Sequence, residues 1–101
     1  MNGQQQGGQQ QIQIKAADND LKGRYSNTMF VAHTKEEFIL DFLLVSQPNG
    51  ELVSRVVTSP GHIKRIYKAM AENIKIYEDK FGKIEEAEGP EPEIGFKPEN
   101  N

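Results

Sequence analysis

The sequence predicts an α+β domain in which an antiparallel sheet of three or four strands packs on one long C-terminal helix. Three segments between residues 27 and 59 are rich in β-branched and aromatic side chains, which is typical of strands. The segment after residue 59 repeats apolar residues at alternating steps of four and three, which is the spacing of one helix face.

The two ends of the chain have compositions typical of disordered segments. Residues 1–11 form a Gln/Gly tract with one methionine, so they have too little apolar surface to offset the entropy of ordering. Residues 83–101 contain six acidic side chains, two basic ones and three prolines, which predicts a disordered acidic tail. We therefore expect a single folded domain over residues 12–82. Within the tail, Ile94 and Phe96 form a candidate motif that can add to a sheet edge, unless this segment is disordered with the rest.

The strands follow one another along the first half of the domain. QIQIK at residues 11–15 alternates polar and apolar side chains and predicts a short edge strand, followed by a loop at residues 16–23. Asn49-Gly50 predicts a type I′ hairpin turn between the last two strands. Thr34 and Glu37 fit either a tight turn or the capping box of a helix, and we favour the turn because the residues that follow suit a strand. The three main predicted strands are residues 27–33, 37–46 and 51–59.

Two-residue loops at Thr34-Lys35 and Asn49-Gly50 set a register in which both sheet faces are apolar. The richer face gathers Met29, Val31, Phe38, Leu40, Phe42, Leu44, Val53 and Val57. The second face gathers Phe30, Ala32, Ile39, Leu43, Val45 and Val56, together with Thr28, Asp41, Ser54 and Thr58.

The helix is delimited by strong local signals. Ser59 is a natural N-cap, Pro60 suits the first helical position and Gly82 suits the end, so the helix is predicted from Pro60 to Phe81. We expect its apolar stripe to cover the richer sheet face, and the alternative is the seam of a coiled coil. The second face is then left for another copy of the chain, which predicts a homodimer or a higher even-numbered assembly. The stripe consists of Ile63, Tyr67, Met70, Ile74, Tyr77 and Phe81, widened by Ile66.

Charge and composition limit the classes of function. The net charge of −3 comes from the ends of the chain, mainly from the acidic tail, because residues 26–82 carry seven basic and seven acidic side chains. A neutral domain lacks the broad positive field of a nonspecific nucleic-acid binder. The chain has no cysteine, which excludes disulfides and thiolate metal sites and fits the cytoplasm. No apolar run approaches the length that spans a bilayer, so we expect a soluble protein with no membrane partner.

Two long segments resemble a known family. GRYSNTMFVAHTKEEFILDFLLV and LVSRVVTSPGHIKRIYKAMAENIKIYEDKFG are similar to the small bacterial proteins of domain of unknown function 3467, over about residues 22–82. Gly61 departs from the pattern, which has a larger residue there. The family has no assigned activity, so the resemblance implies no function. The matching positions are Tyr25 and Asn27, His33 and Thr34, Glu37 and Phe38, Leu40 to Phe42, Arg55 and Val56, Ser59 and Pro60, His62, Lys64 and Arg65, Tyr77 and Glu78, and Phe81 and Gly82.

The start of the helix is a candidate anion site. Acidic residues are usual in the first helical turn, because the exposed backbone N–H groups carry the positive end of the helix dipole. Here basic residues follow the cap instead, and the first-turn N–H groups together with these cations can hold a phosphate of RNA, DNA or a nucleotide. The alternative is an ordinary helix start with solvated lysines. The candidate residues are Ser59, Gly61, His62, Lys64, Arg65 and Lys68.

Asp41 interrupts an apolar strand, and a buried carboxylate needs a partner. In the predicted register, its partners are the hydroxyls of Thr28 and Thr58. The alternative is Arg24 or Arg55 from a neighbouring subunit.

No residue spacing indicates a catalytic constellation, a metal site or a cofactor site. We expect a non-enzymatic, homo-oligomeric protein-binding or adaptor module, with chaperone-like binding as a variant. The alternative is nucleic-acid or phosphate binding at the basic helix start, joined by Arg24.

Overall fold

The computed structural model describes residues 10–89 and 95. Its three strands form one antiparallel sheet in the order β1-β2-β3, so the predicted α+β class, with a three-stranded sheet and a long C-terminal helix, is confirmed. Most of the predicted end segments, including the candidate motif of Ile94 and Phe96, lies outside the described residues. The elements are α1 (Asp18–Lys22), β1 (Thr28–His33), β2 (Phe38–Ser46), β3 (Asn49–Thr58) and α2 (Pro60–Phe81).

The segment before the sheet differs from the prediction in two ways. QIQIK does not form a fourth strand, and Ile12 and Ile14 are almost fully exposed. The predicted loop contains the short helix α1, in which the N–H of Leu21 donates to the carbonyl of Ala17 at 3.1 Å. Acidic residues in its first turn and Lys22 in its last complement the helix dipole, which explains why this polar segment is helical.

The connection between β1 and β2 is a turn, as predicted, and not a helix start. The Oγ1 atom of Thr34 accepts hydrogen bonds from the backbone N–H groups of Glu36 and Glu37, at 3.1 and 3.2 Å. His33 pairs with Phe38, so the loop has four residues where the prediction has two. This even-numbered shift leaves the β1 side chains on the predicted faces.

The hairpin between β2 and β3 turns two residues earlier than predicted. Its turn is Gln47-Pro48, joined by a cis peptide bond, and Ser46 pairs with Asn49. The predicted turn at Asn49-Gly50 is therefore wrong, because these two residues open β3. Proline suits the turn because it has no N–H to donate to the strand ladder.

A β-bulge at Val53 determines on which face of the sheet the later side chains of β3 lie. Leu43 pairs with Leu52 and Phe42 pairs with Ser54, which leaves Val53 as an extra residue. An extra residue reverses the orientation of every later side chain, so Ser54, Val56, Val57 and Thr58 occupy the faces opposite to those predicted. We call the two surfaces the Leu40 face and the Asp41 face. The Leu40 face carries Met29, Val31, His33, Phe38, Leu40, Phe42, Leu44, Ser54, Val56 and Thr58, and the Asp41 face carries Thr28, Phe30, Ala32, Ile39, Asp41, Leu43, Val45, Leu52, Arg55 and Val57.

Helix α2 has the predicted bounds. The Oγ atom of Ser59 accepts a hydrogen bond from the N–H of His62 at 3.1 Å, and Pro60 occupies the first helical position. At the other end, Gly82 has a φ of 98°, and its N–H donates to the carbonyl of Glu78 at 2.9 Å. The signals that end this helix are local, which explains why they could be identified in the sequence.

The predicted packing of α2 on the richer sheet face is wrong within one chain. No residue of α2 is buried, and only Ile63 and Ile66 of its apolar stripe are half-buried. A single residue, Ser59, separates β3 from α2, which leaves the chain no length in which to turn back across the sheet. In the described part of the chain, the buried apolar residues are only Leu40, Leu43 and Val53.

Candidate functional site

Two residues of the predicted anion site, Ser59 and His62, form the N-terminal cap of α2. The His62 N–H donates to the Ser59 hydroxyl oxygen, so this N–H is not open to an anion in this arrangement. A Cβ atom added at Gly61 would meet nothing within 4 Å, and Gly61 lacks the positive φ that would require glycine. Gly61 therefore gives no sign of a close approach by a ligand.

Three cations of the predicted anion site lie together on α2. Lys64, Arg65 and Lys68 are exposed and line a shallow depression with Tyr67, Ala71 and Glu72. Within residues 10–89, none of the three makes an ion pair. The spacing of Lys68 and Glu72 suits a helix pair, but these two side chains are not bonded. Lys75 and Asp79 have the same spacing and do form an ion pair, at 2.9 Å.

Arg24, predicted to join these cations, makes its contacts at the bulge of β3. Its Nη1 atom donates to the carbonyl of Val53 at 2.8 Å, and its Nη2 atom lies 3.9 Å from an Oε2 atom of Glu51. This contact gives the carbonyl of Val53, the extra residue of the bulge, a hydrogen-bond donor. The contacts of Arg24 are thus with β3 and not with the helix start.

Asp41 and Arg55 form an ion pair between adjacent strands. They are direct partners in the register of β2 and β3, and the guanidinium binds both carboxylate oxygens, at 2.6 and 2.8 Å. Asp41 is buried, whereas about half of the Arg55 side chain is exposed. The predicted partners Thr28 and Thr58 are wrong for two reasons. The longer loop between β1 and β2 places Phe30, instead of Thr28, opposite Asp41. In β3, the earlier turn and the bulge place Arg55, instead of Thr58, opposite Asp41. The arginine belongs to the same chain, not to a neighbouring subunit.

The hydrogen bonds from Arg55 lower the pKa of Asp41 below its ordinary value. Burial acts in the opposite direction, and the charge of Arg55 adds to the lowering. The carboxylate is therefore held in its charged form, which is what a structural ion pair requires and the opposite of what a general acid needs near neutral pH.

The two histidines lie on separate elements. The ring of His33 stacks on that of Phe38 with centroids 5.3 Å apart, and His62 lies in the first turn of α2. Among the residues that the structure describes, no three His, Asp or Glu side chains are grouped so that they could hold a metal ion.

The sequence analysis favoured the sheet as the contact of the α2 stripe, but in this structure the stripe is an exposed apolar surface along α2. Tyr67, Met70 and Phe81 are each exposed by more than 60%, and about half of Ile74 and Tyr77 is exposed. The rings of Tyr77 and Phe81 contact one another with centroids 5.0 Å apart. The regular alternation of four and three residues was the signal for such a surface, because it also fits the seam between two helices.

Several residues of the predicted family pattern have structural roles in this arrangement. The Asn27 side chain binds both backbone polar groups of Val45. Its Oδ1 atom accepts from the Val45 N–H and its Nδ2 atom donates to the Val45 carbonyl, each at 2.9 Å. Asn27 thereby extends the strand pairing beyond the end of β1, while Thr34 shapes the turn. The family described as protein of unknown function DUF3467 matches residues 1–86. The chain belongs to this family. The match begins before the segment that carried the resemblance, so the DUF3467 region includes the N-terminal residues and α1.

No curated protein and no solved structure matches this DUF3467 chain. Among the helices in the described residues, none combines the length and the apolar character needed to cross a membrane.

Proposed function

We propose that this DUF3467 protein is a non-enzymatic, homo-oligomeric protein-binding or adaptor module that acts in the cytoplasm. The observation that supports this proposal is the amount of apolar surface left open in one chain, on the sheet and along α2. Contiguous apolar surface of this kind is typical of protein interaction sites. The lack of cysteine fits a reducing compartment.

The Leu40 face is the better protein-binding surface of the sheet. Met29, Val31 and Val56 lie on it and are 46%, 50% and 43% exposed. The opposite face has the Asp41–Arg55 ion pair at its centre, which a binding partner would have to desolvate. We therefore propose that an apolar segment of a partner protein packs on the Leu40 face. Chaperone-like binding is a variant of this function, and a Leu40 face fully covered within the oligomer would contradict it.

Two adjacent valines of β3 allow a matched test of this face. Val56 and Val57 are similarly exposed but lie on opposite faces. We expect Val56→Asp to reduce capture of partner proteins about tenfold or more, because it places an unpaired charge in the contact, and Val57→Asp to leave capture unchanged. The measurement is quantitative capture from a nuclease-treated lysate of the source organism. Equal capture by wild type and both variants contradicts the assignment of the Leu40 face.

The second candidate function is nucleic-acid binding at the helix start, supported by Lys64, Arg65 and Lys68, which form no ion pair with any residue that the structure describes. It predicts that captured material disappears on nuclease treatment, that binding weakens steeply with salt, and that replacing all three residues by alanine abolishes it. A second variant with only Arg65 and Lys68 replaced keeps Lys64 and should lose most of the binding. Binding that is insensitive to salt, or unchanged in both variants, contradicts this candidate.

A further inference from the structure

We propose that α2 forms an antiparallel helix pair with α2 of a second copy, which names the partner of the exposed apolar stripe and rests on the self-association in the proposed function. The stripe has six positions, separated by four, three, four, three and four residues. This is the seam spacing of a two-helix coiled coil, sustained over about 27 Å of helix. The seam consists of Ile63, Tyr67, Met70, Ile74, Tyr77 and Phe81.

The exposure of the seam shows that one chain leaves it open for a partner. Only Ile63, at the N-terminal end, is half-buried, and the other five positions are exposed by 48–74%. Ile76 lies on the same helix but outside the seam. The other isoleucines of α2 lie on the stripe, whereas Ile76 faces away from it. The apolar side chains of α2 are therefore concentrated on one face that the sheet of the same chain does not cover.

The charged residues beside the seam favour pairing with a second copy of α2 in the antiparallel direction. When the two-fold axis crosses between Met70 and Ile74, each seam residue meets one of the partner's, and Lys64 lies beside the partner's Glu78. The two-fold axis repeats this opposite-charge contact, so the dimer gains it twice. Lys64, Ala71 and Glu78 form a row along one side of the seam, which we call one flank. At its centre Ala71 meets the partner's Ala71, and this small side chain allows the two helices to approach closely. On the other flank, Asn73 meets its own copy, and no like charges oppose one another.

A parallel pair does not have this complementarity. In a parallel pair in register, Lys64 and the partner's Glu78 are separated by fourteen residues, or about 21 Å along the axis. The flanks then bring Asn73 beside the partner's Glu78 and place no opposite charges together within α2. Lys64 makes no ion pair within the described residues of its own chain, and Glu78 uses one carboxylate oxygen to accept from the Ile84 N–H at 2.9 Å. Both side chains are thus available for this contact.

The first test compares two isoleucines of the same helix by sedimentation equilibrium of the full chain. Ile74→Asp places a carboxylate in the seam, and Ile76→Asp places the same group on the exposed opposite side. We expect Ile74→Asp to raise the dissociation constant of the dimer more than about a hundredfold, and Ile76→Asp to change it less than about threefold. Circular dichroism of both variants at equal concentration shows whether the sheet domain stays folded.

The second test fixes the direction of the pair by charge reversal. Lys64→Glu and Glu78→Lys each place like charges side by side in an antiparallel pair, so each should weaken the dimer about tenfold at low salt. A mixture of the two variants should form heterodimers with near wild-type affinity, because every contact again joins opposite charges. Neither substitution alters the apolar seam, and circular dichroism of both variants checks that they stay folded, since Glu78→Lys also removes the bond to the Ile84 N–H.

Each outcome separates this inference from the proposed function. A dimer that tolerates Ile74→Asp overturns the helix pair but leaves self-association through the sheet intact. If Ile74→Asp abolishes the dimer but mixing Lys64→Glu with Glu78→Lys does not recover near wild-type affinity, the antiparallel arrangement is overturned and the stripe remains the contact surface. A wild-type chain that stays monomeric at high concentration overturns both the helix pair and the proposed self-association.

Discussion

Replacing Leu43 by alanine is expected to lower the free energy of unfolding by about 2–4 kcal/mol, a large part of the stability of so small a domain. Leu43 lies on the central strand and is the least exposed residue of the core, at 4%. Its carbonyl also accepts from the Asn27 N–H at 3.0 Å and from the Ser26 hydroxyl at 2.8 Å. Loss of the side chain leaves a cavity where the entry to β1 and the bulge of β3 meet.

The matched control is the residue that faces Leu43 across the sheet. Leu52 is its direct partner on β3 but is 42% exposed, so Leu52→Ala removes the same atoms from a partly solvated site. We expect it to cost less than about 1 kcal/mol. Urea unfolding followed by circular dichroism, at one fixed protein concentration, measures both. Equal costs would show that a second chain covers Leu52, or that Leu43 is not the centre of the core.

The sequence was sufficient for features that local signals determine. The ends of α2 follow from the cap at Ser59, the proline at the first helical position and the glycine beyond the last turn. The three main strands follow from their β-branched and aromatic composition. Each signal acts within a few residues, so no knowledge of distant contacts is needed to use it.

The register and the packing could not be derived in the same way. The bulge at Val53 has no local signature in the sequence of β3, and one extra residue changes the sheet face of every side chain that follows. The bulge, together with the earlier turn, explains why Asp41 was identified as a residue that needs a partner while Arg55 of the same chain was not identified as that partner. The position of α2 depends on the length of the connection at Ser59 and on what the stripe contacts, which is a property of the assembly.

The largest expected effect at the candidate site is the loss of Arg55. Arg55→Met keeps most of the aliphatic stem but leaves the buried carboxylate of Asp41 without its guanidinium. We expect the unfolding midpoint in urea at neutral pH to fall sharply. The double variant Asp41→Leu/Arg55→Met removes both charges, and we expect its midpoint to return close to that of the wild type, because an apolar pair leaves no unpaired charge.

The pH dependence of stability should change sign in Arg55→Met. In the wild type, Arg55 lowers the folded-state pKa of Asp41 below the ordinary value of 3.8, so the stabilisation is present above that value and is lost as the pH falls through the folded-state pKa. Without Arg55, burial alone acts and raises the pKa of Asp41, so the folded state binds a proton more readily than the unfolded state. The contribution of Asp41 then favours folding at low pH and is lost as the pH rises through the raised pKa.

Urea midpoints measured from acidic to neutral pH test this reversal, with the double variant as the control that lacks the titrating group. The difference between Arg55→Met and the double variant isolates the carboxylate, because both lack the guanidinium and share every other ionisable group. That difference should widen as the pH rises. A difference that stays constant with pH would contradict a raised pKa of Asp41 in Arg55→Met. It would mean that water hydrates the carboxylate in this variant, so that the folded state holds no buried, unpaired charge.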